Sequence, residues 1–93
     1  MSWRATTLDS ADNVATTLEP VAAGDHVTVW TTDGIVVVEA REPVALCHKI
    51  ALVDLERGAK VIKYGQCIGE ATTPIARGSW VHIHNLRSRR AQA

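Results

Sequence analysis

One small figure occurs three times along the chain. Val21-Ala-Ala-Gly24-Asp-His-Val27, Leu55-Glu-Arg-Gly58-Ala-Lys-Val61 and Ile75-Ala-Arg-Gly78-Ser-Trp-Val81 share the form apolar-x-x-Gly-x-x-Val. A glycine at the end of a turn takes left-handed geometry without a Cβ clash, and the valine that follows suits re-entry into a strand. The figure therefore limits the chain to short strands separated by tight, glycine-closed turns. The spacing between copies is unequal, so this is recurrent turn chemistry and not a solenoid.

The remainder of the chain agrees. Val27, Val29 and Ile35 to Val38 are β-branched and flank Thr31-Thr32-Asp33-Gly34. Asp-Gly between two such runs is a hairpin signal, because a type I′ turn needs positive φ at both central residues. Further strands are expected at 14–18, 48–53, 60–64, 67–71 and 80–84. No segment of ten or more residues has helical periodicity. The fold class is mostly β, compact and irregular.

A chain of 93 residues is one small domain. It buries only about 60–65% of the surface its unfolded form exposes. Any small-molecule site is accordingly expected to be shallow or completed by a second chain. The expected organisation is an N-terminal tail over 1–10, with Trp3 and Leu8 able to dock, a folded domain over 11–86 and a basic tail over 87–93.

Lysine plus arginine and aspartate plus glutamate both total 10, which argues against a chain that coats nucleic acid. No apolar run approaches the roughly 20 residues of a membrane helix, and the first residues lack the apolar region of an export signal. Cys47 and Cys67 form no C-x-x-C pair and are read as reduced thiols of a cytoplasmic protein.

Three pieces concentrate the groups that could carry chemistry: Cys47-His48-Lys49-Ile50-Ala51, Ile62-Lys63-Tyr64-Gly65 with Ile68-Gly69, and Val81-His82-Ile83-His84-Asn85. Lysine suits a carboxylate, tyrosine and asparagine suit hydroxyls, and histidine suits either or a metal. In an extended strand His82 and His84 would share one face and Val81 and Ile83 the other. That spacing fits two neighbouring metal ligands, or two imidazoles on a solvated face. His48 should lie on the apolar face of Ile50 and Leu52. Lys63 and Tyr64 should point to opposite faces unless the strand bends at Gly65. His26 reads as surface, and Trp30 and Trp80 as core or interface aromatics.

Cys47, Cys67, His82 and His84 form an admissible zinc set, but the thiols lack the tight paired knuckles that structural zinc favours. Paired carboxylates, a phosphate-cradling glycine loop and a Gly-x-Ser-x-Gly elbow are all missing, which disfavours a self-contained hydrolase.

His48-Lys49-Ile50-Ala51, Lys63-Tyr64-Gly65-x-x-Ile68-Gly69 and Gly78-x-Trp80-Val81-His82-x-His84-Asn85, in that order, resemble the small subunit of altronate and galactarate dehydratases. The same stretch is similar to the small subunit of sulfolactate sulfo-lyase, within what is often called the UxaA family. Asp12-Asn13-Val14-Ala15, Leu18 and Ala23-Gly24 match that domain's opening, and the resemblance runs over roughly 9–86.

The resemblance implies a SAF domain with a β-clip fold, joined to or assembled with a much larger dehydratase-like subunit. It implies removal of water from a sugar acid to give a 2-keto-3-deoxy acid, with iron(II) or manganese held mainly by the large subunit. On this footing His48, His82 and His84 are expected as catalytic groups, and Lys49, Lys63, Tyr64 and Asn85 as substrate contacts. The alternatives are the sulfo-lyase role and a non-catalytic module that binds carbohydrate or acid. Self-association into a homo-oligomer is a further expectation.

Overall fold

The structure, a computed structural model, describes residues 3–88. Nine strands follow one another: β1 (Ala5–Thr6), β2 (Val14–Thr17), β3 (His26–Thr31), β4 (Gly34–Glu39), β5 (Lys49–Ala51), β6 (Lys60–Lys63), β7 (Gln66–Ala71), β8 (Trp80–Val81) and β9 (Leu86–Ser88). Six form one sheet in the order β4-β3-β1-β2-β5-β8, and three form a second in the order β6-β7-β9. The described residues contain no helix. The mostly β expectation is met.

The glycine-closed turns set the architecture, and the structure contains four of them where the sequence shows three. In each, the residue at the glycine position has positive φ: Gly24 (88°), Gly58 (86°), Gly78 (89°) and, in the fourth, Cys47 (65°). Each is closed by the same bond across the turn: Asp25 N–H to Ala22 O, His48 N–H to Ala45 O, Ala59 N–H to Glu56 O and Ser79 N–H to Ala76 O. Positive φ at the third residue of such a turn is the type II requirement. The apolar residue that opens each turn pairs with its counterpart, Val21 with Val44 and Leu55 with Ile75. Pro43-Val44-Ala-Leu-Cys47-His-Lys-Ile50 is therefore a fourth copy, hidden because cysteine stands where glycine is expected.

The apolar residues sort into two cores. Ala5, Ala15, Val21, Val27, Val29, Val38, Ala40, Val44 and Ile50 form one, with Leu52 and Trp80 packed against it. Val14, Ala51, Leu55, Val61, Ala71, Ile75 and Val81 form the other. Adjacent residues of β2, Val14 and Ala15, serve different cores, as the alternation of a strand dictates. All four residues of β2 are buried, so this strand is the wall between the two cores.

Four local expectations need correction. The β3–β4 hairpin forms, but Thr31 pairs with Gly34, which leaves Thr32-Asp33 as the loop. Neither loop residue has positive φ, so the turn is not type I′. That geometry occurs instead at Tyr64-Gly65 (54° and 77°), between β6 and β7.

The segment 1–10 is not simply a tail. Ala5–Thr6 is a strand, parallel to β3 and antiparallel to β2, with Ala5 wholly buried. Arg4 secures it through Glu19 (2.8 Å) and Asp25 (2.9 Å).

At the other end, Arg87 and Ser88 belong to β9 and pair with β7. Gly69 makes that approach possible, since a Cβ there would lie 2.1 Å from the Arg87 carbonyl oxygen. The remainder of the expected basic tail lies outside the described residues. Finally, the strand expected over 80–84 stops at Val81, and His82 to Asn85 form a turn.

Candidate functional site

Asn85 determines where the histidines go. Its Oδ1 accepts the backbone N–H of His82 (2.8 Å), and its Nδ2 donates to the Trp80 carbonyl (2.8 Å). The Asn85 N–H also donates to the His82 carbonyl (3.1 Å). These bonds end β8 and fold residues 82–85 back on themselves. Strand alternation therefore does not hold there, and Ile83 stands 84% exposed where alternation would have placed it inward with Val81. Asn85, grouped above with the substrate contacts, is buried, and its amide shapes the turn.

The turn gathers the imidazoles around Trp80. The ring of His82 stacks on Trp80 (centroids 4.9 Å apart) and on His48 (4.7 Å), and His84 lies tilted against Trp80 at 4.9 Å. His48 comes from the fourth turn, just before β5. Its backbone is held on both sides by Thr17, whose N–H donates to the His48 carbonyl (2.9 Å) and whose hydroxyl accepts the His48 N–H (3.2 Å). The Trp80 indole N–H donates to His48 Nδ1 at 3.0 Å. Three of the four histidines thus form one aromatic cluster, while His26 is exposed at the start of β3.

The lysines arrive from two sheets. Lys49 is half-buried on β5, in register with Thr16 of β2 and Val81 of β8. Lys63 ends β6, and that hairpin is clamped to the first sheet by the residues before β2. Asn13 takes the Ile62 N–H (2.8 Å) and donates to the Lys60 carbonyl (2.9 Å), while Asp12 takes the Gly65 N–H (2.8 Å). Tyr64 completes the clamp by donating its hydroxyl to Thr16 Oγ1 (3.0 Å). The positive φ of Tyr64 breaks the expected alternation, and Lys63 Nζ sits 5.1 Å from the Tyr64 ring centroid.

The electrostatics of the cluster are one-sided. Burial, and then the ammonium of Lys63, pulls the Lys49 pKa below its ordinary value. Desolvation, and then His48, Lys49 and His84, lowers that of His82. Among the described residues the ion pairs are Arg4 with Glu19 and Asp25, and Arg87 with Glu70. Neither lysine of the cluster therefore has a carboxylate partner there. Cationic groups held near one another without a counter-charge favour an anion.

Among the described residues no group of three or more histidine, cysteine, aspartate or glutamate side chains is arranged to hold a metal ion. Both cysteines are free thiols, Cys47 exposed and Cys67 half-buried. The zinc set weighed above is not assembled. Cavities away from the cluster include one of about 320 Å³ lined in part by Asp9, Asp12, Asp33 and Arg77, and one of about 630 Å³ between the turns at Leu55 and Ile75. In the histidine and lysine cluster His84 is exposed, while His48, Lys49, Lys63 and His82 are half-buried.

Two contributors escape sequence reasoning. Trp80 acts as the platform of the cluster and not only as a core aromatic, and Thr16 anchors Tyr64. Both act through contacts remote in sequence, for which no local pattern exists.

The family described as the altronate/galactarate dehydratase SAF domain matches residues 3–89. Altronate dehydratase of Escherichia coli is 44% identical over 81 residues, covering 87% of this chain and 16% of the relative. The (2R)-sulfolactate sulfo-lyase subunit alpha of Chromohalobacter salexigens is 35% identical over 75 residues, covering 78% of this chain and 80% of the relative. Altronate dehydratase of Bacillus subtilis is 30% identical over 77 residues, covering 83% of this chain and 15% of the relative. The chain thus spans a small fraction of the two dehydratases and most of the sulfo-lyase subunit.

Proposed function

Given that this chain belongs to the altronate/galactarate dehydratase SAF domain family, we propose that it is the small accessory subunit of a sugar-acid hydro-lyase. In this reading it supplies one wall of an active site that a large dehydratase-like subunit closes. The product is a 2-keto-3-deoxy acid, and the assembly works in the cytoplasm. The observation that carries the reading is the pairing of Lys49 and Lys63, without carboxylate partners among the described residues, beside the stacked imidazoles. A partly exposed cluster of this kind suits a reactant that a second polypeptide covers.

Elimination of water next to a carboxylate needs a base for the α-proton, stabilisation of the enediolate that develops, and help for the departing hydroxide. Lys49 or Lys63 would hold the carboxylate. At about 4 Å and an effective dielectric near 20, such a contact is worth roughly 4 kcal/mol before desolvation is subtracted. His84 is exposed enough to reach substrate hydroxyls, while His48 and His82 form the floor behind it. Iron(II) or manganese would serve as the Lewis acid. The donor set described here does not form a metal site, so the ion belongs in this reading to the large subunit.

The test is reconstitution. The chain alone is expected to turn over no altronate or galactarate. With its large subunit, dehydration should depend on added metal, and His84→Ala should lower the rate at least tenfold. Undiminished turnover in that variant removes the histidine wall from the reaction, and turnover by the isolated chain overturns the accessory role.

A second reading is favoured by a relative matched over most of its length, a sulfo-lyase subunit alpha. In that case the reconstituted enzyme would release sulfite from sulfolactate and leave altronate untouched.

A further inference from the structure

The cluster leaves the separate roles of its histidines open, and one hydrogen bond resolves one of them. We propose that Trp80 is a positioning residue that fixes His48 as a hydrogen-bond donor through Nε2–H, which bars His48 from acting as a base or metal ligand at that nitrogen.

The argument starts from what each group can do. An indole N–H only donates, and a neutral imidazole carries one hydrogen on one of its two nitrogens. Trp80 Nε1 lies 3.0 Å from His48 Nδ1. Nδ1 must then be the acceptor, and the hydrogen of the neutral ring resides on Nε2. The other tautomer would set two N–H groups against each other at that separation and leave the indole unsatisfied. A metal bond or proton uptake at Nε2 requires that other tautomer.

Neither partner can easily turn away. The His48 backbone is bonded on both sides to Thr17. The Trp80 backbone N–H donates to Glu42 Oε2 (3.0 Å) and its backbone carbonyl accepts from Asn85. The indole is further flanked by the rings of His82 and His84. The contact is therefore preorganised by residues from three separate parts of the chain. What remains available on His48 is a single N–H, suited to a hydroxyl or carboxylate oxygen. The tautomer stands on the hydrogen bond alone. That a sugar-acid oxygen is what meets it rests on the function proposed above.

The experiment uses the full chain, labelled with ¹⁵N at histidine, at a pH of about 8.5, above the ordinary histidine range. In the wild type His48 should show only the Nε2–H tautomer, with its Nδ1 resonance displaced upfield from that of a free pyridine-type nitrogen. Trp80→Phe keeps a ring for stacking and loses the N–H, so the Nδ1–H tautomer should appear and the Nδ1 displacement should vanish. Titration of the wild type with Zn²⁺ should leave the His48 Nε2 resonance unmoved.

A wild-type Nδ1–H tautomer, an undisplaced Nδ1, an unchanged tautomer in Trp80→Phe, or a Zn²⁺-induced shift at Nε2 would each overturn the assignment. The wild-type measurements need no variant to fold. They are also independent of turnover, so an inactive reconstituted enzyme would count against the reaction and not against the tautomer.

Discussion

Cys47 holds in its turn the backbone conformation that Gly78 holds in the equivalent one, φ 65° against 89°. For a residue with a Cβ the left-handed region costs about 1–2 kcal/mol, whereas glycine enters it freely. Glycine also loses more freedom on folding, by about 0.4–1 kcal/mol. Cys47 is exposed, so little packing is lost with its side chain. Cys47→Gly should accordingly raise stability by about 0.5–1 kcal/mol, read as a higher urea midpoint with unchanged slope. Gly78→Ala should do the reverse and more, because its Cβ would meet the Glu39 carbonyl oxygen at 2.1 Å.

Asn85 satisfies a backbone donor and a backbone acceptor at once, and it is buried while doing so. Leaving such groups unpaired costs about 1–3 kcal/mol. Asn85→Ala should lose an amount in that range in a denaturant titration. Because the same bonds fold 82–85 into a turn, the His82 and His84 resonances should move far more than those of His26. Asn85→Asp keeps the acceptor for His82 and loses the donor to Trp80, so it should fall between wild type and alanine.

The depressed pKa of His82 has a definite sign in the stability. Burial, then His48, Lys49 and His84, lowers it below the ordinary 6.5. Between its folded value and the unfolded 6.5, the unfolded chain binds more protons, so stability rises with pH across that window. The His82 contribution is complete above about pH 6.5 and is lost as the solution is acidified. Urea midpoints measured from about pH 7 to pH 5 should fall, and His82→Gln should flatten the slope. Asp25 is also held below its ordinary value, by the Ala22 N–H and then Arg4, but it acts below pH 3.8 and leaves this window clear.

Strand positions were legible where the pattern is local. The β-branched runs give β3, β4 and β6, and the glycine figure gives three of the four turns. The fourth was masked because Cys47 stands at the glycine position. The grouping of His48, Lys49, Lys63, Tyr64, His82 and His84 was legible as three polar pieces of sequence, and the structure brings these side chains near one another. Its geometry was not. His82 and His84 meet through a turn closed by Asn85 and not through alternation, and Lys63 meets Tyr64 because the latter takes positive φ. β1 escaped notice because a strand of alanine and threonine carries little apolar signal, and its burial comes from neighbours far along the chain.

Lys49 tests whether the edge is built for a ligand or for the chain itself. The ammonium is half-buried, repelled by Lys63 and without a carboxylate partner among the described residues. Its folded pKa lies below 10.5, so stability should rise as pH climbs through that value towards 10.5, and the charged form is a burden at neutral pH. Lys49→Met keeps the length of the side chain and removes the charge. It should stabilise the free chain by about 0.5–1 kcal/mol at pH 7, within the range common for relieving strain at functional positions. If the proposed function holds, the same variant assembled with a large dehydratase-like subunit should raise the KM for the sugar acid at least tenfold. A Lys49→Met chain that is less stable and assembles into a complex with unchanged KM would show the charge to be structural, leaving Lys63 as the carboxylate anchor.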